Sequence, residues 1–434
     1  MLHADEKIVR QLLLKGNFGL EKESLRVYPD GHMSHAPHPF SDEEHITRDF
    51  SENQTEINTG IRDSAEAAIA ELLKYTNIIE RKLSGLERPE LLWPFSNPAY
   101  IEKEDDVPIA VFEGENSIKT AYRECLSDRY GRYKMTLCGI HINYSFADEL
   151  LKEDFKYSGF SDFTEYKNDL YVTLAEKAAA YGWIVTAVTA ASPLMDSSFI
   201  EKHVKGKTVF NGMASTRCSE LGYWNYFTPV FDYSDLKSYA GSIQDYVDNG
   251  LLISPSELYY PVRLKSKGRY DLARLRDEGA DHIELRMVDL NPMESSGLNI
   301  KDLKFAQLLL VWLAATKRQP LSLKDQVQAA QNFKNAAHFD LKTVKIVAPN
   351  NEVYSVIEAG LKVIGFMKEF YKEFSEDIKE ILDFEEAKLI DNEKRYAWKV
   401  KQDYSGDFVK KGISLAAEMQ KEALALKDNI YNPI

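Results

Sequence analysis

The chain has 434 residues, of which 44% are hydrophobic, 28% charged and 12% aromatic, a balance that supports a large core and excludes extensive disorder. Its 68 acidic residues against 54 basic ones give a formal charge of -14, which opposes binding to nucleic acid or anionic lipid, so neither is expected as a partner. Cys125, Cys138 and Cys218 have no C-x-x-C spacing; they point to neither a disulfide framework nor a zinc site, and they fit a reducing cytoplasm.

In chain order, "MLHADEKIVRQLL" carries acids where a signal peptide would have a basic region, and "EKIVRQLLLKG" predicts an opening helix. "GNFGLEKESLRV", residues 16–27, predicts a strand with Glu21 and Glu23 on one face and Leu20, Lys22 and Ser24 on the other. Two like charges so placed repel, so the pair suits either a solvated edge strand or a bound cation. "YPDGHMS" supplies turn chemistry, and the 64–85 stretch predicts a helix capped by Ser64 and ending near Gly85.

Within "ITRDFSENQTEINTG" lie Asp49, Glu52 and Glu56, and a strand register for its second half puts Gln54, Glu56 and Asn58 on one face. "TLCGIHINYSF" puts His141, Asn143 and Ser145 on one face with Ile140, Ile142 and Tyr144 on the other. Long helical regions are predicted from Ser161 and from Ser234, the latter stopping at Asn249 and Gly250. "DHIELRMVDLNP" then sets Glu284 and Arg286 opposite Ile283, Leu285 and Met287.

From about residue 300 the strand signals fade, and "NEVYSVIEAGLKVIGFMKEFYKEFSEDIKEIL" predicts one long amphipathic helix. A catalytic body over 1–320 and a helical C-terminal region over 321–434 packed on the same body are expected, since no linker or repeat divides them. The most apolar stretches are shorter than the roughly 20 residues of a spanning helix, and neither a P-loop nor a G-x-G-x-x-G motif occurs. The order of elements indicates an α+β chain with a mostly antiparallel sheet.

Four strand-like segments thus pair one apolar face with one face bearing an acid, a histidine or an arginine. This suits a sheet packed on helices with its polar side lining a ligand cavity. Carboxylates with one imidazole suit Mg²⁺ or Mn²⁺. An acid-lined cavity that also holds Arg217 and Arg286 suggests metals bridging the phosphates of ATP while the arginines grip anionic oxygens.

Taken in order, "GLEKESLRV", "HAPHPF", "ITRDFSENQTEI", "LWPFSNP", "AYRECLSDRYG", "CGIHINYSF", "ASPLMDSSF", "STRCSELGY", "ELYYPVR" and "IELRMVDLNP" resemble bacterial glutamate–cysteine ligases. The branch resembled includes the ligase half of bifunctional glutathione synthases, and the likeness spans about residues 16–315. The resemblance implies a glutamine synthetase-like antiparallel sheet curved into a funnel with helices outside. It implies Mg²⁺ ligation by Glu21, Glu23, Asp49, Glu56, His141 and Glu284. Arg217 and Arg286 would hold the glutamate carboxylates or the transferring phosphoryl group, and Tyr122, Arg123, Tyr223, Tyr259 and Arg263 would bind substrate.

The implied reaction joins L-glutamate to L-cysteine with ATP through a γ-glutamyl phosphate, in a cytoplasmic monomer or weak homodimer. No ATP-grasp module for a second ligation is visible in the chain. Asn97, Ile142 and Cys138 depart from the family pattern, and Met135 stands where some members have glutamine; these put the acceptor pocket in question. A γ-glutamyl ligase for another amine, a metal-dependent hydrolase and a silent binding protein are the alternative readings.

Overall fold

The computed structural model describes residues 1–40, 43–201, 204–268 and 270–426, with the side chain of residue 115 set aside. The last eight residues of the expected C-terminal region therefore lie outside the described residues. Strands in chain order are β1 Gly16–Val27, β2 Ile46–Arg48, β3 Gln54–Asn58, β4 Leu91–Leu92, β5 Ile140–Phe146, β6 Leu194–Asp196, β7 Thr208–Phe210, β8 Val262–Lys265, β9 His282–Val288, β10 Lys345–Val347 and β11 Val353–Ser355. Seven of them form the main sheet in the order β2-β3-β1-β5-β9-β8, with β4 paired to the far end of β1. Every pairing in it is antiparallel. The α+β expectation holds, and the sheet is open, with β2 and β8 at the ends of its path instead of curled on itself.

The register explains why the strands alternate as they do. Glu21 lies opposite His141, Glu23 opposite Glu56, Asn143 opposite Glu284, and Arg263 opposite Glu284. Partners directly opposite in a ladder share a face, so the chemistry-bearing side chains of five strands meet on one side. A bulge between Ile140 and Ile142 sets Ile140 opposite Val288 and Ile142 opposite Leu285, so β9 carries one extra residue at Arg286–Met287.

The other face, apolar on β5 and β9 but carrying buried Lys22, Ser24 and Arg26 on β1, is covered by helices that include 65–84, 163–181 and 183–189, with Lys22 donating to the Thr76 hydroxyl at 3.2 Å. The 65–84 helix starts where its cap predicts, the Ser64 hydroxyl accepting from the Ala67 N–H. The 300–315 helix is apolar all round because it is buried all round, its Phe305–Ala314 run holding a single exposed-side interruption at Gln307. No helix among the described residues is long and apolar enough to cross a membrane.

One predicted element breaks. The single helix expected from residue 351 is instead β11, a helix Val356–Tyr371 and a second helix Glu376–Ile390. Ser355 caps the first in a capping box with Glu358, and Ser375 takes the N-cap position of the second. Amphipathic spacing continued across the break, while Ser375 takes an extended backbone conformation between the two helices. The hydrophobic core is continuous from Leu2 to Ala416. At its C-terminal end, helix Phe408–Ala425 lies against helix 65–84, with Gly412 so close to Trp93 that a Cβ would sit 2.3 Å from the ring.

Candidate active site

The polar face of the sheet is built from alternate residues of β1, β3, β5 and β9. Glu21 and His141 face each other, Oε2 to Nδ1, at 2.9 Å. The Asn143 amide donates to Glu21 Oε1 at 3.0 Å. Glu284, fully buried, has its Oε1 3.8 Å from His141 Nδ1 and 3.1 Å from an Arg286 nitrogen. Glu23 accepts from the Gly139 N–H at 3.1 Å and has His141 Nε2 at 3.7 Å. Glu56 comes from β3, and Asp49 from the turn just past β2, where its N–H donates to the Gln54 carbonyl at 3.1 Å. The six residues expected to hold metal thus converge, although they come from four strands and a turn.

Two electrostatic environments share this face. Burial works to raise the pKa of Glu21, but Lys265, His141 and Arg286 outweigh it and hold the carboxyl well below its usual range. Glu284 is likewise held low against burial by Lys265 and Arg286. On the other side burial raises Glu56 strongly, reinforced by the charges of Asp49, Glu21 and Glu23. Burial and Asp49 push Glu23 up to about 8, and burial raises Asp49. Those three acids repel one another, which is the electrostatic signature of a place where positive charge is missing. Burial and Arg286 depress His141 to about 4, so its imidazole is neutral and able to ligate.

The residues present fit a divalent ion. Ligand atoms of Glu21, His141 and Glu284 lie within 4.8 Å of one another. His141 Nε2 and Glu284 Oε2 are buried polar atoms without a hydrogen-bond partner among the described residues, which is costly unless something else engages them.

Arg217 comes from an irregular loop, and three features fix it. Its Nη1 donates to the Arg286 carbonyl at 2.8 Å and to the Val288 carbonyl at 3.2 Å, and its Nη2 lies 3.4 Å from the Tyr223 hydroxyl. Gly139 lies flat beneath it, since a Cβ there would be 2.2 Å from the guanidinium carbon. Behind the loop, buried Asp289 accepts from the Ser192 and Ser215 hydroxyls at 2.7 and 2.8 Å and from the Ala191 N–H at 2.9 Å.

Arg217, Tyr223, Tyr259 and Arg286 share a small cavity with Trp224 and Phe333. Tyr223 and Tyr259 pack edge to face at 5.0 Å, and Tyr130 packs on Tyr259 at 5.3 Å. The anchor of this aromatic wall is Glu257, buried, which accepts from the Tyr130 hydroxyl at 2.6 Å and from Arg129 at 3.2 Å. The Asn225 amide donates to the Glu257 carbonyl at 2.8 Å and its oxygen accepts from the Tyr259 N–H at 2.9 Å. Helix Ile118–Tyr130, which carries Tyr122 and Arg123, is thereby tied to the segment that presents Tyr259.

Arg123 and Arg263 are committed to main-chain carbonyls. Arg123 donates to the carbonyls of Asp49, Arg48 and Lys119, and Arg263 to those of Ser256 and Leu258. The Tyr122 hydroxyl bonds with Ser254.

Of the departures from the family pattern, Ile142 points into the core, 1% exposed, as strand alternation predicts. Asn97 lies away from the acceptor side: its amide donates to the Ser192 and Leu194 carbonyls at 3.0 and 2.7 Å and to the Thr216 hydroxyl at 2.9 Å. It staples the loop beside Arg217. Cys138 is buried behind the acids, its thiol pushed well up by burial and by Glu23, and is unsuited to react as a thiolate.

Lys265 is the residue that motif reading missed. Its Nζ lies 2.6 Å from Glu284 Oε1 and 3.2 Å from Glu21 Oε1. The signal was available, since Arg263 and Lys265 alternate along β8 as Glu284 and Arg286 do along β9.

The family model described as glutamate-cysteine ligase matches residues 2–336. A glutathione biosynthesis bifunctional protein of Listeria monocytogenes is 34% identical over 91% of this chain and 53% of its own length. The chain spans about half the length of such relatives. A glutamate–cysteine ligase of Clostridium acetobutylicum is 32% identical over 75% of this chain and 77% of its own. The crystal structure of a Francisella tularensis glutamate–cysteine ligase in complex with AMP superposes with a TM-score of 0.85 at 20% identity, covering 95% of this chain and 90% of that one. That of a bifunctional glutathione synthetase from Pasteurella multocida gives 0.83 at 24% identity, covering 97% and 54%. With the family matched over most of its length and the acids, imidazole and arginines of the motifs gathered on one face, the chain belongs to the glutamate–cysteine ligase family.

Proposed function

We propose that this chain joins the γ-carboxylate of L-glutamate to the α-amine of L-cysteine with ATP, giving γ-glutamylcysteine, ADP and phosphate, the first step of glutathione biosynthesis. The observation that carries this reading is the meeting on one sheet face of five carboxylates and a neutral imidazole with Arg217, Arg286 and an aromatic pocket at their border.

A γ-carboxylate oxygen attacks the γ-phosphorus of ATP and ADP leaves. The amine of cysteine then attacks the acyl carbon, phosphate leaves and the nitrogen loses its proton. Mg²⁺ or Mn²⁺, held by Glu21, His141 and Glu284 and by Glu23, Asp49 and Glu56, would draw charge from the phosphate oxygens. Arg286 and Arg217 stand at the edge of that acidic face and supply fixed positive charge to a transferring phosphoryl group. Their guanidiniums are preorganised, Arg217 by two carbonyls and Arg286 by Glu284, so little reorganisation is required at the transition state. Tyr223 and Tyr259 wall the acceptor side, orient the amine and keep water from the acyl phosphate. A strong protein base is not required.

Action as a monomer or weak homodimer belongs to the same reading. Three free cysteines support a cytoplasmic setting. The continuous core supports a catalytic body over 1–320 with the 321–434 region packed on it.

The test is phosphate release from ATP and glutamate across a panel of amines, with products identified by mass. Fastest turnover with L-cysteine is expected, with slower turnover of L-2-aminobutyrate. Fastest release with a diamine, ammonia or a bulky amino acid would reassign the acceptor, and phosphoester or amide hydrolysis without ATP would remove the ligase reading.

A further inference from the structure

Lys265 occupies ground that a metal ion would claim. It ends β8 opposite His282, with its side chain only 13% exposed, and it reaches across Glu284 to Glu21. Its ammonium bonds Glu284 Oε1 at 2.6 Å and Glu21 Oε1 at 3.2 Å, the carboxylates that with His141 make the tightest candidate ligand group. A Mg²⁺ ion ligated by those carboxylates would sit about 2.0–2.1 Å from their oxygens. An ammonium left on the same oxygens would be a second cation beside it in a poorly screened interior, and the repulsion there is strong.

One of the two cations has to yield. Arg286 is held in place by its bond to Glu284 and by the approach of its Nη1 to His141 at 3.4 Å. A lysine is a compact charge on a flexible stem, and its backbone stays anchored because the Lys265 carbonyl accepts from the Asp281 N–H at 2.8 Å. Once off the carboxylates, the ammonium needs another anion within the same cavity, and phosphate or carboxylate oxygens of substrate are the groups that enter it.

We propose that Lys265 is a displaceable internal counter-ion: it pairs with Glu21 and Glu284 and aims them in the metal-free protein, and it releases them to a divalent ion when an anionic substrate takes up its ammonium. The role is one of positioning, and it couples ion binding to substrate binding. It rests on the ion placement given under the proposed function.

The test is Mn²⁺ binding followed by electron paramagnetic resonance and calorimetry, without turnover, on wild type, Lys265→Met and Lys265→Arg, each with and without a non-hydrolysable ATP analogue. In wild type the analogue should tighten Mn²⁺ binding by about tenfold or more. Lys265→Met should bind Mn²⁺ without nucleotide about tenfold more tightly than wild type, and the analogue should add little. Lys265→Arg, which keeps the charge, should bind the bare ion no better than wild type. In EDTA the melting temperature of Lys265→Met should fall below that of wild type, and Mn²⁺ should raise it by more than it raises wild type. If the methionine variant does not fold, Lys265→Gln carries the same expectation. A folded neutral variant that binds bare Mn²⁺ no better than wild type overturns the role of Lys265 alone. Absence of Mn²⁺ binding in every variant overturns the ion placement with it.

Discussion

Gly139 lies directly under the guanidinium of Arg217, so close that a single added carbon would fall 2.2 Å from its central atom and 2.4 Å from Nη1. The glycine of the "CGIH" motif is thus explained by steric necessity at a buried arginine. Gly139→Ala should push Arg217 off the carbonyls of Arg286 and Val288. Because a misplacement of about 1 Å at a reacting centre costs on the order of 10²-fold in rate, kcat/KM for glutamate should fall by about that factor. Steady-state kinetics with circular dichroism as the folding control checks this. A variant within threefold of wild type would mean that Arg217 is not a participant.

Glu284→Gln removes one negative charge from the face while preserving shape. Loss of ligation by about 10³-fold or more is expected, since phosphate charge would lose part of its compensation. The protein should remain folded, because a neutral amide oxygen still accepts from Lys265 and Arg286. Near wild-type kcat at saturating Mg²⁺ would exclude Glu284 from the ion set.

Asn97 and Tyr259 separate structure from specificity. Asn97→Ala removes the amide that donates to the Ser192 and Leu194 carbonyls and to the Thr216 hydroxyl in a buried site, and a loss of about 1–3 kcal/mol in chemical denaturation follows. The ranking of amine acceptors should not move. Tyr259→Phe should do the converse, raising KM for the acceptor more than for ATP with little change in stability. An altered acceptor ranking in the Asn97 variant would return that residue to the pocket.

The pH dependence of stability reports on the unbalanced acids. Glu23 is raised to about 8 by burial and by Asp49, and Glu56 is raised by burial and its acidic neighbours. An acid with a folded pKa above its unfolded value binds more protons when folded, so its contribution declines as pH climbs toward the folded value. His141, lowered to about 4 by burial and Arg286, acts in the opposite sense only below its unfolded value. In EDTA, melting temperature should therefore fall between about pH 6.5 and about pH 8. Glu80, raised to about 8 by burial, adds the same slope with or without an ion, so flattening by Mn²⁺ isolates the site. A flat or rising curve in EDTA would contradict the electrostatics.

Strand alternation made much of this site legible in the sequence. Glu21, Glu23, Glu56, His141, Glu284 and Arg286 share a face because the period of a strand is two residues, and Ile142 turns away for the same reason. Asp49 and Arg217 lie on a turn and an irregular loop, whose placement depends on distant contacts such as Arg123 to the Asp49 carbonyl and Asp289 to Ser215. Strand periodicity alone could not position those two, and the resemblance to a family gave Asp49 its ligand role. The roles of Lys265 and Asn97 were hidden for a related reason. Each is decided by a partner far along the chain, Glu21 in one case and Thr216 in the other. The break near Ser375 was missed because hydrophobic spacing ran straight through it.

The extra residue in β9 has a consequence for how this strand tolerates change. Leu285 and Val288 both sit opposite apolar partners, Ile142 and Ile140, although an unbroken alternation would send them to opposite sides. The bulge at Arg286–Met287 shifts the phase of the strand, so that its first half serves the acids and its end, through Asp289, serves the loop behind Arg217. Arg217 binds the carbonyls of Arg286 and Val288, which flank the bulge. Loss of a single residue here, even the apolar Met287, would restore the regular pleat while leaving Leu285 and Val288 on the apolar face, so the harm would fall on the bulge itself, where Arg217 finds the Arg286 and Val288 carbonyls.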